Sequence, residues 1–221
     1  RPNDGGAFVL DDELLALAHA DPVAQRYVRP FLGAREIVQG QPRWVLWLRD
    51  ASTEEIQESE FLSKRVALCR EHRLASKRAG TREWADRPHL FDFDSQPARS
   101  YVAVPGVSSE HRPYYLAARF DCNVIASNAA FTATDPDGLL FALVSSSMFI
   151  TWQRTVGGRL KSDLRFSNTV VWSNFPVPVL ADDLRASIVD AGRRIESARA
   201  QAPSTSLADL YRPTRLPPEL R

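Results

Sequence analysis

Two stretches of the chain hold most of the residue types that could bind a polar ligand. The first, Gly157 to Pro178 (GGRLKSDLRFSNTVVWSNFPVP), combines a glycine pair, three cations, hydroxyls and amides between a helix-like run and a strand-like run. The second, Val104 to Phe120 (VPGVSSEHRPYYLAARF), passes from a polar cluster into an aromatic run in the same way. Because turn-rich sequence folds at protein surfaces, the pattern predicts a polar recognition surface rather than a buried catalytic pocket.

Motifs for cofactors, metals and nucleophilic catalysis are missing. Neither GxGxxG nor GxxxxGK[ST] occurs, so no nucleotide-cofactor loop is expected. Cys69 and His72 stand at helical spacing but lack a second pair of ligands, which favours a packed cysteine beside a surface histidine over a metal site. Ser162 beside Lys161, and the run Ser109 to His111, place sequence neighbours together, and neighbours seldom face each other. No catalytic residue and no metal site are predicted.

The polar residues that are present suit a nucleic acid. Arginine and lysine neutralise phosphates, arginine can also donate two hydrogen bonds to a guanine edge, and hydroxyls and amides donate to phosphates or read bases. One stretch supplies Arg159, Lys161, Arg165, Ser167 and Asn168. The other supplies Ser108, Ser109, Glu110, His111 and Arg112.

Glu110 is the most informative member of these sets. A carboxylate near DNA is repelled by phosphates, and it makes sense mainly when it accepts a hydrogen bond from a cytosine amino group. On the residues alone, Glu110 could instead pair with Arg112 on a solvated hairpin, and Lys161 could form a local ion pair with Asp163. Both alternatives stay open at this point.

The formal net charge of +1 hides a segregation of charge along the chain. Residues 1–60 contain eleven acids and six bases, whereas residues 64–87 contain eight bases and three acids. Lys77, Arg78 and Arg82 belong to the basic segment. This asymmetry indicates a side that faces a polyanion, although a solvated basic helix face would produce the same pattern.

Composition and length set the class of protein. At 221 residues, with 44% hydrophobic residues, the chain can bury a sizeable core. Its two cysteines provide no disulfide framework, which favours a cytoplasmic location. The apolar run Gly138 to Trp152 is interrupted by serines and is too short to cross a membrane, so no membrane partner is expected. Because the chain starts without methionine or a leader, we expect a fragment of a longer protein.

The first half of the chain predicts mainly helices. Asp11 and Asp12 suit the start of a helix through Ala20, and Ser52 to Glu55 (STEE) is a capping box that opens a helical stretch through Ala85. Val23 to Arg29 predicts a short helix that Pro30 stops. The alternating segment Arg43 to Leu48 predicts a strand.

After Pro88 the pattern changes to short strands. An antiparallel meander is expected from Tyr101–Val104, Tyr114–Phe120, Asn123–Ala126 and Ala130–Thr134. A buried helix, a further strand and a polar helix then follow at Leu139–Val156, Asn168–Trp172 and Asp182–Ala200. The predicted fold is mixed α/β (α+β), a mostly antiparallel twisted sheet flanked by helices. We place a domain boundary near Pro178, which leaves residues 1–178 as one domain and 179–221 as a helical C-terminal segment.

Short motifs in a fixed order connect the chain to a known family. They are PNDGG (2–6), YVRPFLGAREI (27–37), RWVLWL (43–48), RLASKRAGTR (73–82), PHLF (88–91), VPGVSSEHRPY (104–114), SSSM (145–148), GRLKSDLRFSNTVVWSNFPVP (158–178) and SLADLYRP (206–213). In this order the chain resembles the target-recognition domain and C-terminal segment of MmeI-like (type IIL) restriction–modification enzymes and related adenine-specific DNA methyltransferases. The motifs cover nearly the whole chain.

The resemblance implies a sequence-specific module that binds double-stranded DNA. In such proteins an upstream, covalently linked methyltransferase domain binds S-adenosylmethionine and carries an NPPY-type motif, which this chain lacks. The parent is then an adenine-specific methyltransferase, with or without a nuclease, and it flips its target base. The implied base-reading residues are Ser109, Glu110 and Arg112. The implied backbone contacts are Lys77, Arg78, Arg82, Arg159, Lys161, Arg165 and Ser167.

Two other functions are compatible with the sequence. The segment could dock the methyltransferase core as a scaffold, with Trp44, Trp47 and Trp172 partly exposed at an interface. It could also bind RNA, in which case Tyr114 and Tyr115 would stack on unpaired bases.

Overall fold

The computed structural model describes residues 3–92 and 94–220. The chain forms two compact units. The first unit comprises Arg1–Phe31, Pro42–Ser95 and Asn123–Ser127, and the second comprises Leu32–Gln41, Gln96–Cys122 and Asn128–Arg221. Neither unit is a continuous piece of chain, since each takes up segments that are separated in sequence.

Strands are short and pair antiparallel wherever their register is given. In chain order they are β1 (Val9–Leu10), β2 (Val28–Leu32), β3 (Arg43–Leu46), β4 (Tyr101–Pro105), β5 (Val107–Ser108), β6 (Ala118–Phe120), β7 (Ile125–Ala126), β8 (Ala130–Thr134), β9 (Gly158–Leu160) and β10 (Asp163–Arg165). They form three sheets, with the orders β1-β3-β2-β7, β5-β10-β9 and β6-β4-β8.

The helices are α1 (Asp12–Ala20), α2 (Ala34–Gln39), α3 (Thr53–Glu58), α4 (Glu60–Leu74), α5 (Ala79–Glu83), α6 (Leu139–Val144), α7 (Ser147–Val156), α8 (Asp182–Ala200) and α9 (Leu207–Leu210). Single turns of 3-10 helix lie at Ala24–Tyr27, Trp84–Asp86 and Pro218–Leu220. The prediction of a mixed α/β fold with antiparallel sheets and flanking helices is confirmed. In the part of the chain that the structure describes, no helix is both long and apolar enough to span a bilayer.

The first unit packs its four-stranded sheet against α1, α3 and α4. Its core contains Phe8, Val45, Leu46 and Leu62, all completely buried. Asp11 caps α1 as predicted, because its carboxylate accepts a hydrogen bond from the Leu14 amide at 2.9 Å. Helical structure after the capping box is interrupted rather than continuous, since Ser59 ends α3 and caps α4.

A fully buried arginine organises one end of the first unit. Arg73, at the end of α4, is 0% exposed and donates hydrogen bonds to four main-chain carbonyls, one near the start of the chain and three that follow α5. The acceptors are the carbonyls of Asn3, Trp84, Arg87 and Leu90, at 3.2, 2.9, 3.0 and 2.7 Å. Arg73 is therefore a structural cation, and it is unavailable to a polyanion although it belongs to the basic segment.

The second unit contains both three-stranded sheets and the helices α2, α6, α7, α8 and α9. Buried side chains of β4, α6, α7 and β10 form one core, with Phe141, Phe149 and Leu164 completely buried. Asp135 begins the α6 region, because its buried carboxylate accepts from the amides of Leu140 and Phe141, both at 3.0 Å. These hydrogen bonds fix the first turn of α6. Helix α7 follows α6 in the chain and leads directly into the β9–β10 hairpin.

Four further local predictions are wrong. The expected meander is not formed, because β6 and β8 both pair with β4 while β7 belongs to the sheet of β2. The segment 168–172 is a π-helical turn rather than a strand, and the Ser167 hydroxyl caps it by accepting from the Val170 amide at 3.1 Å. The predicted helix 139–156 divides into α6 and α7, because Ser146 accepts from the Phe149 amide and starts a new helix. Pro30 does not merely stop a helix; it lies within β2, opposite Trp44.

Candidate nucleic-acid interface

Strand register brings the two polar stretches into one small sheet. In β10, Leu164 stands opposite Ser108 of β5 on one side and opposite Arg159 of β9 on the other. Ser109 and Glu110 follow β5 directly, so they leave the sheet beside the β9–β10 hairpin. The sequence predicted both clusters but contained no sign that they meet, since the two-residue β9–β10 turn lacks the usual Asn-Gly or Asp-Gly pair.

Glu110 pairs with Arg159. The Arg159 Nη1 atom donates to Glu110 Oε2 at 3.1 Å, while Glu110 Oε1 lies 3.9 Å from His111 Nε2. Pairing of Glu110 with Arg112, which the residues alone left open, is replaced by this longer-range contact. Both side chains of the pair stay accessible, at 36% exposure for Glu110 and 46% for Arg159.

Arg112 points toward α9 and is half-buried. Its Nη1 donates a long hydrogen bond to the Ala208 carbonyl at 3.4 Å. Burial lowers the pKa of the Arg112 guanidinium, the nearby Arg212 adds to this, and the carboxylates of Asp163 and Asp209 oppose it. The guanidinium thus lies between carboxylates of β10 and α9, close to the cation Arg212.

The turn that carries Glu110 and Arg112 is held by a residue that sequence reasoning missed. Arg154, in the last turn of α7, donates from Nη2 to the Glu110 carbonyl at 3.3 Å and to the Arg112 carbonyl at 2.8 Å. Within the turn, the Arg112 amide donates to the Ser109 carbonyl at 3.2 Å. Position in a last helical turn is the only sequence feature that marks Arg154.

A buried amide ties the hairpin to α7. Gln153 is 0% exposed, and its Nε2 donates to the Arg165 carbonyl at 3.0 Å. Gly157 leaves room for this amide, since a Cβ atom there would lie 1.9 Å from Gln153 Nε2 and 2.4 Å from the Gln153 carbonyl oxygen. The glycine is therefore required by close packing.

Lys161 occupies the tip of the β9–β10 hairpin in an unusual conformation. Its φ angle is +56°, in the left-handed region of backbone conformation that residues other than glycine and asparagine rarely adopt. The side chain is exposed, and so is that of Arg165. No ion pair between Lys161 and Asp163 occurs among the residues described. Ser167, by contrast, uses its hydroxyl as a helix cap and also lies 3.2 Å from the Thr169 hydroxyl.

The other predicted backbone contacts lie in the first unit. Lys77 and Arg78 are exposed at the loop before α5, and the Arg78 amide donates to the Ser76 hydroxyl at 3.2 Å. Arg82 braces the same loop by donating to the Ser76 carbonyl at 2.9 Å. Arg65, from the same basic segment, donates to the Ala7 carbonyl at 2.5 Å and is structural like Arg73. The basic segment therefore divides into structural and solvent-facing cations.

Comparison with known proteins identifies the family. The family model described as "MmeI, target recognition domain" matches residues 1–179. The chain belongs to this family. DNA methyltransferase A of Bacillus subtilis (strain 168) is 32% identical over all 221 residues, which are 25% of its own length. A solved structure of the Type IIL restriction–modification enzyme MmeI in complex with DNA is 36% identical with a TM-score of 0.92, and all of this chain covers 30% of that one.

In this target recognition domain, the aromatic side chains singled out for other functions differ in burial: Tyr115 is buried, whereas Tyr114, Trp44, Trp47 and Trp172 are partly exposed. Tyr115 is 0% exposed and donates from its hydroxyl to the Pro105 carbonyl at 2.9 Å, so the prediction that it stacks on an unpaired base is wrong. Tyr114 packs edge-on against Tyr211. Trp47 packs on Phe91, with ring centroids 4.8 Å apart, and the ring centroids of Trp172 and Phe149 are 6.2 Å apart.

No metal centre is found in the described ranges 3–92 and 94–220, where no three His, Cys, Asp or Glu side chains converge. Cys69 is buried, and burial raises the pKa of its thiol to about 11. A thiol that stays protonated at neutral pH is a poor ligand and a poor nucleophile. The chemistry that these residues can perform is thus hydrogen bonding and charge pairing at a surface.

Proposed function

We propose that the chain is the sequence-specific DNA-recognition module of an S-adenosylmethionine-dependent, adenine-specific DNA methyltransferase. The observation that carries the proposal is the pairing of Glu110, which follows β5, with Arg159 of the cationic β9–β10 hairpin. It occurs in a chain of the MmeI target recognition family. The similar solved protein is described in complex with DNA. An exposed carboxylate surrounded by cations suits base reading, because the cations offset its repulsion from phosphates.

Base choice is assigned to the turn between β5 and β6. Glu110 accepts a hydrogen bond from an exocyclic amino group in the major groove, and Arg112 donates to a guanine edge or to the partner base. Ser109 adds a hydroxyl and shapes the turn. Affinity without sequence preference comes from the exposed cations Lys77, Arg78, Arg82, Lys161 and Arg165, with Ser167 near the end of the hairpin.

The catalytic step belongs to other parts of the parent protein. This chain spans 25% of the length of the curated relative and 30% of the solved relative. We assign the S-adenosylmethionine pocket and the adenine-flipping site to the covalently linked methyltransferase domain, since a base inside the helix cannot be methylated. Residues 1–178 then read the DNA, and 179–221 form a helical C-terminal segment. A protein that modifies bacterial chromosomal DNA works in the cytoplasm.

The proposal is tested in the full-length parent by the double substitution Glu110→Gln, Arg112→Gln. We expect the preference at one position of the methylated motif to change, because one bidentate contact discriminates between bases by about 1–3 kcal/mol. Modified adenines are mapped across the genome of a host that expresses each enzyme. His111→Ala is the matched control, since its side chain is 87% exposed between the two substituted residues. An unchanged motif at ordinary activity would refute the assignment of base reading to this turn.

A further inference from the structure

Arg159 is bound at two points of its own surroundings. Its Nη1 atom donates to Glu110 Oε2 at 3.1 Å and to the Ser162 carbonyl at 2.7 Å. The second contact lies in the same hairpin turn that holds Lys161 in its left-handed conformation. The guanidinium is thus oriented by its own hairpin before it reaches the carboxylate.

This contact changes what the Glu110 carboxylate can do. With Oε2 engaged by Arg159, Oε1 is the oxygen that remains open to a further strong donor, and the neighbouring His111 Nε2 lies 3.9 Å from it. Arg154 fixes the main chain of the same residue through the Glu110 carbonyl. Both the backbone and the carboxylate of Glu110 are therefore held by arginines that come from the α7–β9 segment.

The paired charge also alters the electrostatic cost of bringing the turn near DNA. A lone carboxylate is repelled by the phosphates, whereas a carboxylate paired with a guanidinium presents no net charge. Arg165, which stands opposite Gly158 in the neighbouring strand, is exposed and has no carboxylate partner among the residues that the structure describes. The two arginines of one hairpin are thus in different electrostatic situations.

We propose that Arg159 is a positioning residue for base choice, and not a phosphate contact as its place in the sequence suggested. It holds the Glu110 carboxylate so that Oε1 accepts from the exocyclic amino group of a cytosine or adenine in the major groove. This inference rests on the proposed function and adds a specificity determinant to it. It predicts that Arg159 acts through Glu110, whereas Arg165 acts through the phosphate backbone.

The experiment compares Arg159→Gln with Arg165→Gln in the full-length parent protein. Binding to a cognate duplex and to duplexes with one base pair changed is measured over a range of salt concentrations. The base pair to vary is the one whose preference changes in Glu110→Gln. For Arg159→Gln we expect discrimination at that base pair to fall roughly tenfold with the salt slope unchanged, since one base contact is weakened. For Arg165→Gln we expect equal weakening on all duplexes and a slope smaller by about 0.9.

A double-substitution cycle separates positioning from general damage. In the Glu110→Gln background, Arg159→Gln should cause no further loss of discrimination between the duplexes. With Glu110 intact, Arg159→Lys should lose less discrimination than Arg159→Gln, because a lysine keeps the charge although it lacks the planar guanidinium. Uniform weakening by Arg159→Gln, with a slope smaller by about 0.9, would overturn the inference and leave the proposed function intact. If Glu110→Gln changes no base preference, the base-reading assignment itself fails.

Discussion

At position 157 the fold leaves no room for a side chain. The Gln153 amide and carbonyl fill the space beside it, so Gly157→Ala forces the end of α7 and the hairpin apart. Overpacking of this kind costs about 1–3 kcal/mol, and we expect a loss of that size in the free energy of unfolding, measured in urea. Gly158→Ala is the matched control, because nothing lies within 4 Å of a Cβ atom there. Equal losses for both variants would contradict the packing argument.

Arg73 offers a second test at the scale of one side chain. Arg73→Met keeps the apolar stem but removes the donors to the carbonyls of Trp84, Arg87 and Leu90. We expect a loss of about 2–4 kcal/mol in unfolding free energy, since several partly buried acceptors lose their partner together. Arg70→Met, an exposed position on the same helix, should change stability by less than about 0.5 kcal/mol. Thermal unfolding followed by circular dichroism measures both.

Single residues show where sequence reasoning stops. The types of the residues proposed to read bases and of the cationic residues could be recognised, because their chemistry is fixed by their side chains. The partners of these side chains could not be recognised from the sequence. The Glu110–Arg159 contact, for example, joins residues 49 positions apart through the register of β5, β10 and β9. Arg73 resembled its solvent-facing neighbours in sequence, and only the fold reveals that it is buried.

At the scale of elements, the capping box of α3 gives a pH-dependent prediction. The Tyr27 hydroxyl, the Ser52 amide and Arg26 all donate to Glu55, and they lower its pKa from 4.5 to about 2. A depressed pKa means that the carboxylate stabilises the fold fully above its unfolded pKa and loses this effect as the pH falls toward 2.

We therefore expect Glu55→Gln to lower stability at pH 7 and to converge with the unmodified chain between about pH 4.5 and pH 2. Urea unfolding at a series of pH values measures the difference. Glu58→Gln is a suitable control, since Glu58 is an exposed carboxylate of the same helix and the hydrogen bonds of Tyr27 and Arg26 go to Glu55 instead. A difference that stays constant down to pH 2 would contradict the assignment.

Elements with strong local determinants were predictable. The helices α1 and α8 begin and end where the sequence indicates, and β8 has its predicted bounds. Local patterns failed where a hydroxyl redirected the backbone, as Ser146 does between α6 and α7 and Ser167 does before the π-helical turn. Valine and tryptophan favour strands in general. Here Val171 and Trp172 belong to the π-helical turn and pack against the core of the second unit.

For the whole molecule, net charge is a poor guide to partners. The formal charge of +1 is the sum of 28 basic and 27 acidic residues, so it does not reveal that some of the cations are grouped along the chain. If exposed cations of both units contact phosphates, Lys77→Gln and Lys161→Gly should each reduce the salt slope of DNA binding by about 0.9, and by about 1.8 together. Glycine suits position 161, because it adopts the positive φ of Lys161 without strain.

Competition titrations with the full-length parent at several salt concentrations measure these slopes. The preference for the cognate duplex should stay the same in both variants, since phosphate contacts carry no sequence information. A slope that does not change in either variant would show that these lysines do not contact the backbone. Thermal unfolding of the Lys161→Gly variant checks that the hairpin turn is kept.

The contact between Arg154 and the turn has a consequence for how recognition can evolve. Arg154 binds the carbonyls of residues 110 and 112, which every amino acid possesses, so these two hydrogen bonds do not depend on the side chains at those positions. On the proposed function, we expect point mutations at 110 and 112 to alter the DNA sequence that is read without refolding the turn. Position 159 is the expected exception, and we expect it to covary with position 110.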